Sequence, residues 1–131
     1  MPAAVRADRV GRAHPRARRR DPYRPGLRPA LTLGRLVAYH ELDRLTRALT
    51  AGTDWPGPPV RVLPLRDRRY WARAWPRTVR YGPRAPVWVV AHELAHVASG
   101  DFGHGEAWRG WMVTLCGRLA TVVEDETSPR A

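Results

Sequence analysis

Lysine, asparagine, glutamine and isoleucine are absent from the 131 residues, and cysteine occurs once, as Cys116. A lone cysteine excludes an intramolecular disulfide framework and any multi-cysteine zinc ribbon. No window approaches the ~18 uninterrupted apolar residues of a membrane span, so no membrane partner is expected. Without lysine, all 23 basic charges fall on arginine. Such one-sided usage has the character of GC-rich codon bias, so the net charge of +11 does not by itself establish nucleic-acid contacts. The chain still has material for a core. Hydrophobic residues make up 44% of it, and a domain of this size buries roughly 65% of the surface its unfolded chain would expose.

Charge is unevenly spread. Residues 1–30 hold nine arginines and two aspartates, a net +7, together with Pro2, Pro15, Pro22, Pro25 and Pro29. With no apolar periodicity to offset the entropy of ordering, this stretch is expected to be a disordered tail. Arg18, Arg19 and Arg20 suggest a twin-arginine export signal, but Asp21, Pro22, Arg24, Pro25 and Arg28 break the apolar run that export requires. A cytoplasmic location is expected. The folded domain should occupy 31–125, with a short disordered C-terminus over 126–131.

Within that domain, Ala38, Leu42, Leu45 and Leu49 recur at helical spacing. Thr32 could cap a helix from Leu33 to Ala51, stopped by Gly52. His40 on this helix has Arg44 four residues on, which cannot ligate a metal, so it reads as a surface or boundary histidine. Val60–Leu65 alternates as a strand does, and Pro64 suits an edge. Tyr70–Trp75 and Thr78–Tyr81 read as two further strands separated by Pro76. Pro86 would open a second helix ending near Ser99, with Gly100 as its C-terminal cap. A third helix, Glu106–Val123, would bury Trp108, Met112, Leu115 and Leu119. The fold class is α+β.

Chemical specificity concentrates in His92-Glu93-Leu94-Ala95-His96. Two histidines at i and i+4 project from one face of a helix, where both imidazoles can reach one Zn²⁺. Glu93 then faces the position of a metal-activated water and can take its proton. Chance placement of five histidines and five glutamates in 131 positions would give this pattern about 0.007 times per chain. A catalytic zinc takes three protein ligands and keeps one position open. The metzincin spacing is excluded, because Ser99 and Phe102 stand where it requires glycine and histidine. A thermolysin-like glutamate about twenty residues on meets Cys116 instead. A deformylase-like site fails too, since glutamine is absent and Cys116 lies downstream of the motif. His104 is the expected third ligand, ahead of Asp101, Glu106 and Cys116, because the Gly100–Gly103 turn allows it to swing back.

The motif followed by His104-Gly105-Glu106-Ala107-Trp108 resembles the SprT/Spartan-like zinc metalloproteases, in which HExxH precedes a histidine-glycine pair and an aromatic three positions after the glycine. It is also similar to small actinobacterial and mycobacteriophage metallohydrolases built on that core. The resemblance spans residues 92–108. It implies a minimal zincin-like domain with an N-terminal helix, a small three-stranded sheet, the HExxH helix and a C-terminal helix. It further implies zinc held by His92, His96 and His104, Glu93 as general base, and Trp108 packed beneath the site. Glu106 and Trp108 stand where many relatives have proline and phenylalanine. The cysteine-rich zinc module of some SprT proteins is missing, so a role in clearing DNA-crosslinked proteins is not carried over.

The expected reaction is hydrolysis of a peptide or amide bond in a protein or peptide substrate. Tyr81, Arg109 or a backbone amide could stabilise the oxyanion, and nothing in the sequence selects among them. In a zincin an extended substrate would add to the strand before the active-site helix, here Thr78–Tyr81. The alternative is a non-catalytic, zinc-stabilised regulatory or nucleic-acid-binding protein that acts through its basic N-terminal tail.

Overall fold

The computed structural model describes residues 33–127, which form three helices and two small sheets in an α+β arrangement. The tail expected over 1–30 lies outside the described residues, as do 128–131. The elements run β1 (Leu36–Ala38), α1 (Tyr39–Thr50), β2 (Arg61–Pro64), β3 (Ala72–Trp75), β4 (Thr78–Tyr81), β5 (Arg84–Pro86), α2 (Val89–Ser99) and α3 (Glu106–Thr127).

The three-stranded sheet has the order β2-β4-β3, with β4 parallel to β2 and antiparallel to β3. Trp75 opposes Thr78, so Pro76 and Arg77 form a two-residue turn. Proline sets φ near −65° at the first turn position. Among the described residues only Gly100 has positive φ, so this hairpin is not closed by the mirror-image turn usual for its length. Period-two alternation buries Ala72, Ala74, Val79 and Tyr81 on one face. The alanines of β3 have little bulk, which lets α2 pack against that strand. Pro64 ends the edge strand β2, as its missing N–H requires.

Three expectations are corrected. The first helix starts at Tyr39 rather than Leu33, because Leu36–Ala38 pairs antiparallel with Arg84–Pro86. Pro86 does not open α2. It closes β5 opposite Leu36, in a two-stranded sheet where each strand is an edge and proline is tolerated, and α2 begins at Val89. Finally, β4 is central, with both ladders occupied, so Thr78–Tyr81 cannot accept an added substrate strand. The helix expected from Glu106 continues to Thr127.

The helices enclose the centre of the domain. Leu42, Leu45, Thr46 and Leu49 form the inner face of α1. Trp108, Met112, Leu115 and Leu119 form the expected stripe of α3, each fully buried. Between them, every residue of α2 from Val89 to Val97 is buried, as befits a helix covered on all sides. No helix among the described residues is long and apolar enough to cross a membrane.

Candidate metal centre

The central helix α2 carries His92, Glu93 and His96, and the loop leading into α3 carries His104. One turn of helix separates His92 from His96, so both rings leave the same face. His96 and Glu93 are fully buried, His92 is 5% exposed, and His104 is half-buried. A ring nitrogen from each of the three histidines lies within 4.8 Å of the others. His92 Nε2 and His104 Nε2 are 3.3 Å apart. Two imidazoles on a tetrahedral ion at about 2.0–2.1 Å would place their nitrogens about 3.3–3.4 Å apart. The three side chains are close enough to hold a metal ion.

Hydrogen bonding supports the donor set. His96 Nδ1 lies 2.8 Å from the Asp101 carbonyl oxygen. A carbonyl only accepts, so Nδ1 carries the proton and the neutral ring keeps its lone pair on Nε2. Beneath the cluster lies Trp108, with ring centroids 4.8 Å from His92, 5.5 Å from His96 and 4.5 Å from His104. Phe102 stacks on His96 at 5.7 Å, with 8° between the rings. Trp88, one residue before α2, meets His92 edge-on at 5.8 Å.

The loop between α2 and α3 is tied at several points. Gly100 ends α2 in the left-handed conformation, φ 69°, and its N–H bonds to His96 O, as expected of a glycine cap. Ser99 Oγ donates to Ala95 O and accepts the N–H of Asp101. The Asp101 carboxylate then receives Gly103 N at 2.8 Å and Gly105 N at 3.1 Å. His104 sits between those two amides.

Of the other third-ligand candidates, none joins the histidine cluster among the described residues. Asp101 directs its carboxylate to backbone amides, Glu106 is exposed in the first turn of α3, and Cys116 is buried with its Sγ 4.0 Å from Met112 Sδ. His40 is exposed on α1, as expected. Tyr81 is fully buried, with its hydroxyl 2.7 Å from Thr46 Oγ1. Burial pushes its phenol above the usual tyrosine value, and the Glu93 carboxylate adds to the shift. Arg109 is exposed near the start of α3. Sequence reasoning missed Phe102 and the clasp made by Asp101. An aspartate followed by glycines two and four positions later is the signal that marks such a clasp.

No protein-family model, curated protein or solved structure matches this chain.

Proposed function

We propose that the protein is a zinc-dependent hydrolase of peptide or amide bonds, acting on a protein or peptide. The observation that supports it most is the convergence of His92, His96 and His104, with the Glu93 carboxylate in the same buried helical turn. Three imidazoles suit zinc and leave a coordination position for chemistry, whereas a structural site closes with four protein ligands. When bound, zinc would supply Lewis acidity, drawing the pKa of a water towards about 7 and polarising a carbonyl. Glu93 accepts the proton of the attacking water and delivers it to the leaving nitrogen. Trp108 and the Asp101 carbonyl hold the imidazole rings in place during both steps.

Metal analysis and hydrolysis of a fluorescently labelled unfolded polypeptide test this reading. Wild type should carry one zinc, Glu93→Gln should keep it and lose about 10²-fold or more in rate, and His96→Ala should lose both. A folded wild type that takes up no zinc, or Glu93→Gln at full rate, overturns it.

A further inference from the structure

We infer that Asp101 is the positioning residue that sets two of the three histidines for the metal, and that residue 105 is glycine because the Asp101 carboxylate occupies the place of its side chain. This deepens the metal-binding reading above and rests on it.

Gly100, Gly103 and Gly105 make the approach to His104 conformationally loose, and glycine loses the most entropy when a chain is fixed. Something must restrain that stretch if His104 is to stand 3.3 Å from His92. The Asp101 carboxylate does so by taking one amide on each side of His104, Gly103 N on Oδ1 and Gly105 N on Oδ2. Hydrogen bonds to an ionised acceptor are stronger than neutral ones. The backbone carbonyl of the same residue accepts the Nδ1–H of His96. One residue thus holds a loop ligand through its side chain and a helix ligand through its main chain, as partners of metal-bound histidines do. Ser99 Oγ fixes the Asp101 amide in turn, which anchors the clasp to the end of α2.

Gly105 has no backbone need to be glycine, because its φ is not positive. The obstacle is local. A Cβ at that position would lie 2.7 Å from Asp101 Oδ2 and 3.8 Å from Asp101 Cγ, and among the described residues no other non-neighbouring atom comes within 4 Å. An alanine there must displace the carboxylate through Oδ2, the oxygen that accepts the residue 105 amide. The histidine-glycine pair is therefore coupled to an aspartate three residues before the histidine.

Zinc titration against a competing chelator, cobalt(II) absorption spectra and thermal melts of the metal-free proteins test this. Asp101→Ala should weaken zinc binding about 10–100-fold, with the metal-free melting temperature nearly unchanged and the cobalt spectrum altered as His104 loosens. Asp101→Asn should fall between, since its amide oxygen can still accept one of the two N–H groups. Gly105→Ala should weaken binding comparably in wild type and add nothing in the Asp101→Ala background. Should Gly105→Ala fail to fold, recovery of the fold in the double variant reads the same coupling. Asp101→Ala with wild-type affinity and an unchanged cobalt spectrum overturns the inference and leaves the hydrolase reading intact. A Gly105→Ala effect of equal size in both backgrounds overturns the steric account, and a wild type that takes no zinc overturns both readings.

Discussion

Trp108 donates its indole Nε1–H to the backbone oxygen of His92 at 3.2 Å, within a fully buried contact between α2 and α3. The residue that floors the three imidazoles therefore also pins the helix bearing two of them. Trp108→Phe keeps an aromatic floor and removes the donor. It should lower stability by about 0.5–1.5 kcal/mol, the net contribution of one hydrogen bond, because the His92 oxygen keeps its helical partner within α2. Trp108→Ala, which also opens a cavity, should cost about 3–5 kcal/mol. Urea denaturation of the metal-free proteins distinguishes the two, and identical midpoints for wild type and Trp108→Phe would show that the bond contributes nothing.

Thr46 Oγ1 donates to Leu42 O, so the Tyr81 hydroxyl must be the donor in the 2.7 Å contact between them. Thr46→Val strands that hydroxyl in the core and should cost about 1–3 kcal/mol, while adding Tyr81→Phe should recover part of the loss. The pH dependence follows from the same contact. Burial, aided by Glu93, raises the folded-state pKa of Tyr81 above the ordinary 10.0. The associated stability is fully present below the unfolded value and is lost as pH rises above it towards the folded value. Denaturation midpoints measured between about pH 9 and 11 should fall more steeply for wild type than for Tyr81→Phe. Parallel curves would sink the assignment.

Gly100 and Gly105 make opposite demands. At Gly100 φ is 69° and a Cβ would meet nothing within 4 Å among the described residues, so the constraint is conformational. Gly100→Ala should therefore lower stability by about 1–2 kcal/mol, read as a fall of several degrees in the melting temperature. An unchanged melting temperature would mean that the end of α2 relaxes at no cost.

The motif histidines, Glu93, the buried stripe of α3 and the strand Thr78–Tyr81 were legible because each is a local pattern with a fixed period. The third histidine of the cluster was legible from the rarity of histidine and the flexibility of the turn before it. The strand Leu36–Ala38 was hidden, since Val37 sits near helical spacing with the leucines that follow and its partner lies at Arg84–Pro86. Pro86 misled for a related reason: a proline suits both the start of a helix and the edge of a sheet, and only the tertiary pairing decides. The central place of β4 could not be read, because alternation identifies a strand and not its neighbours. From the sequence Asp101 resembles a metal ligand, because the carboxylate that clasps two amides offers the same oxygens a metal would take.

The enclosure of α2 from Val89 to Val97 has a kinetic consequence. Core helices are the last segments of a protein to exchange their amide hydrogens, while short exposed connections open independently of the whole. The cluster draws two imidazoles from the slowest part of the chain and one from the stretch between Gly100 and Gly105. An ion held there would come and go through brief excursions of that stretch with the domain still folded. Its residence time would be set by those few residues, however long the native state itself survives.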